Sequence, residues 1–153
     1  TEGSGPGLRI TGRTGVAVPY GDSDDVPYTE RFFLGGASLL RGFELRGVGP
    51  DENGYSVGGE TYAAGSIEYV RPLLTQGRPG SPDLYDILRA GLFLDFGLLD
   101  PDPFQLDLDE LRASVGVSFS VLLQIPITVS FGFPILEEDS DRTRVFAFTL
   151  GGL

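Results

Sequence analysis

Apolar residues recur at every second position along most of the chain, a period typical of β-strands rather than of helices. Glycine and proline interrupt every window in which a helical apolar stripe could form. The clearest run places leucine, alanine and phenylalanine on one face and mainly glycine and charged residues on the other. The alternation predicts six strands of about 9–11 residues, the length that a tilted bilayer-spanning strand needs. They are Leu8–Val18, Thr61–Val70, Leu88–Leu98, Arg112–Val121, Ile125–Phe133 and Arg144–Leu153.

The residues opposite the apolar rows favour a membrane barrel over a soluble fold. They are mostly glycine, serine, threonine and alanine, with an occasional arginine. A soluble sandwich usually exposes lysine, glutamate and threonine there. Small polar residues suit the interior of a closed barrel, and rows of leucine, valine and phenylalanine suit lipid. We therefore expect an all-β, antiparallel transmembrane β-barrel, with a soluble β-rich binding module as the alternative.

A long connection, residues 19–60, separates the first two predicted strands, and it is far longer than an ordinary hairpin loop. Its centre is too apolar and glycine-rich to project into water, so we expect it to fold into the barrel lumen. Glu68 and Asp95 are the two acids well inside predicted strands, both on the small polar face, where a buried charge needs a partner. Arg41, near the middle of the loop, is a candidate partner because a guanidinium can span two carboxylates. The alternative is that Arg41 is a surface residue beside a turn.

Composition removes several classes of chemistry. The chain has 11 basic and 22 acidic residues, a formal net charge of −11, and no cysteine, histidine, methionine or tryptophan. Without cysteine or histidine, thiolate catalysis, zinc–sulfur sites and histidine-dependent hydrolysis are excluded. The acidic balance argues against nucleic acid as a partner. Most acids lie between predicted strands without a calcium-loop spacing, which favours wet loops over metal sites. We predict no catalytic residue, metal or cofactor.

Three motifs, in order along the chain, carry a family resemblance. The run Leu40-Arg41-Gly42-Phe43 resembles the Val-Arg-Gly-Phe-like tip of the long lumen loop in BamA/TamA-type outer-membrane assembly factors, the bacterial surface antigen family. Gly65-Ser66-Ile67-Glu68 looks like that family's Gly-x-x-Glu strand motif. Phe93-Leu94-Asp95-Phe96-Gly97 matches its Phe-x-Asp-x-Gly motif. Because the family places its loop arginine against these acidic positions, the resemblance selects the pairing of Arg41 with Glu68 and Asp95.

The resemblance also implies a context for the chain. Such barrels have sixteen strands and follow periplasmic POTRA domains, so residues 1–153 would be the C-terminal part of a barrel, without POTRA modules. Two features agree: the first residue is Thr1 rather than methionine, and six strands are fewer than any known bacterial outer-membrane barrel has. A self-assembling short relative is the alternative. The implied location is the bacterial outer membrane, and the implied partners are its lipid bilayer, unfolded outer-membrane proteins and accessory subunits.

The end of the chain resembles the terminal strand signal of outer-membrane barrels. Phe146, Phe148 and Leu150 alternate as that signal requires, although their parity would place the final aromatic residue one position beyond Leu153. In the family's mechanism the first and last barrel strands separate and template incoming strands by β-augmentation. The expected function is therefore insertion of β-barrel proteins rather than enzymatic catalysis. A two-partner-secretion transporter, which shares the loop motif and exports a polypeptide, is the other membrane alternative.

Overall fold

The computed structural model describes residues 5–79 and 84–151 and is built almost entirely from strands. Two single-turn 3-10 helices, Tyr28–Glu30 and Leu108–Glu110, interrupt the connections. Within the described residues no helix is long and apolar enough to cross a membrane. The ten strands are β1 (Gly7–Val16), β2 (Gly42–Phe43), β3 (Asp51–Glu52), β4 (Tyr55–Ser56), β5 (Thr61–Gln76), β6 (Tyr85–Asp100), β7 (Arg112–Val121), β8 (Ile127–Leu136), β9 (Thr143–Arg144) and β10 (Phe146–Leu150).

Six of these strands form one antiparallel sheet in the order β1-β5-β6-β7-β8-β10. Each strand of the sheet pairs with the next along the chain, which is the up-and-down order of membrane barrels. The small strands β2, β3, β4 and β9 form two further pairs, β2 with β9 and β3 with β4. The predicted all-β, antiparallel class and its six main strands are confirmed.

The two faces of the sheet have opposite character, and the buried face is the polar one. On β6, Phe93 and Asp95 are 4% and 1% exposed. Leu92, which precedes Phe93 and points to the opposite face, is 61% exposed. We call the buried side the inner face and the apolar side the outer face. A soluble sandwich would cover the apolar face with a second sheet. In the described part of the chain that face is uncovered, as expected for a surface that meets lipid.

The central hairpin is longer than the sequence predicted. The predicted ends at Val70 and Leu88 are wrong, because β5 continues to Gln76 and β6 begins at Tyr85. The pairing shifts register just after Pro72, where proline cannot donate to the ladder and the alternation is lost. That irregularity hid the extra strand residues. Residues 80–83 of the remaining connection lie outside the described residues.

The sequence predicts the last strand as one segment, but the structure has two. It is divided into β9, which pairs with β2, and β10, which pairs with β8. The predicted strand Arg144–Leu153 is therefore wrong in its first part. Leu153 lies outside the described residues.

The connection between β1 and β5, residues 17–60, is called the long loop and covers the inner face. Its apolar centre forms the hydrophobic core with residues of the sheet. Leu34 and Leu40 are fully buried, and burying each such side chain contributes about 1.5–3 kcal/mol. The other members of this core are Phe43, Val48, Ala64 and Leu99.

Candidate functional site

The tip of the long loop places Arg41 on the inner face, where its guanidinium meets two strand carboxylates. Nε donates to Asp95 Oδ2 at 2.7 Å and Nη2 donates to Asp95 Oδ1 at 2.7 Å, which is a bidentate pair. Nη1 donates to Glu68 Oε1 at 3.0 Å. All three residues are at most 6% exposed. The structure therefore brings together the three residues that the sequence singled out, and we call them the Arg41 cluster.

Hydroxyl and amide groups complete the hydrogen bonding of these charges. The backbone N–H of Arg41 donates to Asp95 Oδ2 at 3.0 Å, so the loop backbone is attached as well as the side chain. Ser66 accepts from Arg41 Nη2 at 3.0 Å and donates to Asp95 Oδ1 at 2.6 Å. Ser118 donates to Glu68 Oε1 at 2.8 Å. Because a buried ion pair is stable only when its remaining polar atoms are satisfied, these serines are part of the site.

The Phe-x-Asp-x-Gly run has a physical meaning at each of its three positions. Alternate strand residues point to one face, so Phe93, Asp95 and Gly97 all face inward. The Phe93 ring lies under the guanidinium of Arg41, with 3.5 Å from Cζ to the ring centroid. A Cβ atom at Gly97 would lie 2.7 Å from Leu34 Cδ2. The motif thus supplies an aromatic platform, an anion and the space for the loop's apolar core.

Each of the four residues of the loop tip, residues 40–43, also has a distinct structural role. Leu40 and Phe43 are buried in the core, and Arg41 between them forms the ion pairs. Gly42 has φ = +96°, which favours glycine, and it lies so close to β7 and β8 that an added Cβ would be 3.1 Å from the Cβ of Ser114. The Ser114 hydroxyl donates to the backbone carbonyl of Arg41.

The charges of the site nearly balance. Two carboxylates face the Arg41 guanidinium, and Arg9 of β1 adds a second cation 3.8 Å from Glu68 Oε2. Burial alone would lower the pKa of Arg41, but hydrogen bonds and charge from Asp95, and then from Glu68, raise that pKa above its ordinary value. Arg41 lies in the loop outside the spanning strands, and it remains a cation throughout the accessible pH range.

A second buried arginine, not among the residues predicted from the sequence, lies at the start of β7. Arg112 is 2% exposed, with Nε 2.6 Å from Asp141 Oδ2 and Nη2 2.8 Å from Glu138 Oε2 and 3.3 Å from Glu110 Oε2. We call these four residues the Arg112 cluster. The sequence predicts solvated loops for the connections that carry the three acids, and for Asp141 this prediction is wrong. The available signal was the parity of Arg112, which shares the inward side of β7 with the serines.

The predicted terminal signal lies away from both clusters. Phe146, Phe148 and Leu150 are on the outer face of β10 and are each at least half exposed. Phe146 also packs edge to face on Phe131 of β8, at 5.7 Å between ring centroids. These residues extend the apolar outer face, and their role as an assembly signal stays a prediction.

The acidic connection between β6 and β7 binds its own backbone. Asp100 accepts N–H donors from Asp102 at 3.0 Å and from Asp107 at 3.3 Å, and Asp107 in turn accepts from Asp109 at 2.9 Å. Among the described residues, no group of three or more acidic side chains is arranged to hold a metal ion. These carboxylates order the turn that leads into β7.

Comparison with known proteins places this geometry in a family. The Omp85 superfamily domain matches residues 4–152. The chain is 28% identical to the outer membrane protein assembly factor BamA of Neisseria meningitidis and 30% identical to that of Nitratidesulfovibrio vulgaris, over 94% and 95% of its length. It is 38% identical to the human sorting and assembly machinery component 50 homolog over 56% of its length. The chain spans about a fifth of these relatives, 21%, 18% and 18% respectively.

A solved structure shares the fold. The chain superposes on BamA from Haemophilus ducreyi lacking POTRA domains 1–3 with a TM-score of 0.74 at 19% identity, over 94% of this chain and 31% of that one. The similarity covers the main sheet and the long loop together. With nearly the whole length matched by the domain and by the fold, the chain belongs to the Omp85 superfamily, a family of β-barrel assembly factors.

Proposed function

We propose that this chain forms part of the barrel wall and the lumen loop of an outer-membrane factor that inserts β-barrel proteins. Insertion would take place through a lateral gate, the opening between the first and last strands of the barrel. The observation that carries the proposal is the Arg41 cluster, because it attaches a loop of more than forty residues to two adjacent wall strands by buried, hydrogen-bonded charges. A loop held this way stays inside the barrel and stiffens the wall beside the gate. The relatives named as outer membrane protein assembly factors support this function.

Further strands are proposed to close the barrel. Both terminal strands of the main sheet, β1 and β10, have one edge without a partner in the described residues. In hydrocarbon each unpaired backbone group costs several kcal/mol, and even the smallest bacterial outer-membrane barrels have eight strands. We therefore propose that residues 1–153 are part of a larger barrel. The resemblance to BamA/TamA-type factors implies that this part is the C-terminal one of a sixteen-stranded barrel, with POTRA domains elsewhere in the protein.

The free edge of β10 is the proposed template. An incoming strand can add to this edge by main-chain hydrogen bonds, which need no particular side-chain sequence. No bond is made or broken chemically, so the activity is assembly rather than enzymatic catalysis. The proposed partners are the lipid bilayer, unfolded outer-membrane proteins and accessory assembly subunits, and the proposed location is the bacterial outer membrane.

Charge reversal at the Arg41 cluster tests the proposal. The native protein is reconstituted in lipid vesicles, and insertion of an unfolded outer-membrane β-barrel is followed by protection of the substrate from protease. We expect Arg41→Asp and Asp95→Arg each to slow insertion, because each leaves buried like charges unpaired. Arg13→Asp, on the exposed inner side of β1, is the matched control. Unchanged insertion by both single variants contradicts a role for the cluster.

The same vesicles distinguish insertion from polypeptide export. A secretion transporter would deliver a substrate to the vesicle lumen, whereas an insertion factor leaves it embedded in the bilayer. Carbonate extraction separates these products, since only an embedded barrel stays with the lipid. Recovery of the substrate in the soluble lumenal fraction would favour the transporter.

A further inference from the structure

We propose that Arg112 is a positioning residue that holds the first part of the last strand, residues 141–145, on the long loop instead of on β8. This inference rests on the proposed function, because it concerns the strand that would form one side of the gate. It gives the last strand two arrangements: one held by the loop and one extended along its neighbour. The Arg112 cluster selects the first.

The ladder between β8 and the last strand stops at a defined point. β10 pairs with β8 from Phe146 opposite Phe131 to Leu150 opposite Ile127. One further bond follows, from Gly132 N–H to the carbonyl of Val145 at 2.8 Å. Alternate residues of a strand direct their N–H groups to the same neighbour, so the next donor toward the last strand would be at position 134.

That position is a proline. Pro134 has no N–H group, so β8 cannot donate the next bond of the ladder. β8 nevertheless continues to Leu136 by pairing with β7 on its other side. The residues before Val145 are thereby deprived of a regular partner in the main sheet, and their backbone is available to another segment.

The long loop pairs with these backbone groups instead. β2 of the loop pairs with β9 in antiparallel register. Just beyond, Glu44 N–H donates to the carbonyl of Arg142 at 2.8 Å, and Arg142 N–H donates to the carbonyl of Gly47 at 2.8 Å. The Arg142 side chain donates to the carbonyls of Gly54 at 3.0 Å and Arg46 at 3.2 Å. The loop therefore replaces β8 as the partner of this part of the last strand.

The Arg112 cluster fixes the residue that precedes this contact. The Asp141 side chain is 0% exposed, and its Oδ2 atom lies 2.6 Å from Arg112 Nε. Its Oδ1 atom is buried and has no hydrogen-bond partner among the described residues. Arg112 is thus the cation on which the buried carboxylate depends, and a lone carboxylate would move to water. Two residues further along β7, Ser114 binds the carbonyl of Arg41.

Both clusters consequently act on one structure. The Arg41 cluster fixes the loop tip against β5 and β6, while the Arg112 cluster fixes the connection 137–142 against β7. The last strand is held between them through β2 and β9. Loss of Arg112 should free residues 141–145 from the loop. Continuing the register of β10 would then place Arg144 opposite Phe133 on β8.

Disulfide trapping can measure both arrangements, because the native chain has no cysteine. Glu44→Cys with Arg142→Cys reports the loop-held arrangement, since these residues are joined by a cross-strand backbone bond. Phe133→Cys with Arg144→Cys reports the extended one. Each pair is introduced into the native protein in lipid vesicles, in the parent and in Arg112→Gln. A second background, Arg112→Gln with Asp141→Asn, removes the unpaired buried charge and so separates release of the strand from failure to fold.

We expect Arg112→Gln to lower the ratio of loop-held to extended disulfide by at least about tenfold, because losing one partner of a buried ion pair is strongly destabilising. The ratio should also fall in Arg112→Gln with Asp141→Asn, because the charge-assisted bond that holds position 141 on β7 is absent there too. Arg89→Gln is the matched control: it removes another inner-face arginine, paired with Asp86 at 2.7 Å, and should leave the ratio unchanged. An unchanged ratio in both Arg112 backgrounds, or an equal fall in the control, overturns the proposal.

The insertion rate of the same preparations separates this inference from the proposed function. A shifted disulfide ratio with insertion altered in the Arg112 backgrounds supports both. A shifted ratio in a protein whose parent form inserts no substrate supports the positioning role and contradicts the proposed function. An unshifted ratio in a protein that inserts normally contradicts the positioning role alone.

Discussion

Replacing Arg41 with methionine tests how strongly one side chain holds the long loop. Methionine retains much of the apolar stem of arginine, so the change removes chiefly the charge and its donors. Asp95 would lose the two side-chain donors of Arg41 but keep the Ser66 hydroxyl and the backbone N–H of residue 41, while Glu68 would keep Ser118. Two carboxylates would then share a buried space without the guanidinium between them.

The expected loss follows from these contacts. A hydrogen bond to a charged group contributes about 1.5–3 kcal/mol, but such values do not add within one network. Breaking a buried pair by removing one partner costs about 3–5 kcal/mol. A difference of about 1.4 kcal/mol is a factor of ten in an equilibrium constant. A loss of about 3 kcal/mol, the lower end of this range, therefore raises the open population of the loop by about a hundredfold.

Limited digestion with trypsin measures that population. All basic residues of the chain are arginines, and Arg46 is an exposed cleavage site within the loop. When opening is fast compared with cleavage, the cleavage rate follows the open population, so Arg41→Met should accelerate cutting after Arg46 by about a hundredfold. Arg13→Met is the control, because Arg13 is exposed on β1. A rate within about threefold of the parent would show that the Arg41 side chain does not hold the loop closed, since opening would then cost nearly as much without it as with it.

Four further variants test the packing around the cluster and the lipid contact of the outer face, each by urea titration in lipid vesicles. Gly97→Val should destabilise the protein by about 1–3 kcal/mol, because the new side chain would overlap Leu34. Leu92→Arg on the outer face should cost about 2–4 kcal/mol in the bilayer, whereas Leu45→Arg on the exposed loop should stay within about 0.5 kcal/mol. Ser114→Ala should cost about 0.5–1.5 kcal/mol, through loss of its bond to the loop-tip carbonyl. A cost at position 45 equal to that at position 92 would contradict the assignment of the outer face.

The sequence predicted the sheet because alternation is a local signal. In β6, Leu92, Leu94 and Phe96 are apolar and exposed, and the residues between them are buried. Charge placement also carried information: Glu68 and Asp95 stood out because an acid on a buried strand face needs a cation. Arg41 was one candidate for that cation, and only the motif resemblance selected it.

The parts that the sequence missed depend on long-range pairing. The partner of β9 is the tip of the long loop, some hundred residues earlier in the chain, and no local pattern encodes that choice. Asp141 resembled the other acids of a solvated turn, although its side chain is fully buried against Arg112. Pro134 was a visible signal, since a proline inside an alternating segment indicates that one edge of the strand is unpaired.

Site-specific crosslinking to a substrate tests whether β10 presents the free edge on which incoming strands assemble. The native chain has no cysteine, so single cysteines can be compared at Ala147→Cys on β10 and at its register partner Ser130→Cys on β8, one strand further from that edge. During insertion of a single-cysteine β-barrel substrate in vesicles, we predict disulfide adducts with Ala147→Cys and none with Ser130→Cys. Efficient insertion with no adduct at either position, or with equal adducts at both, would contradict assembly on the edge of β10.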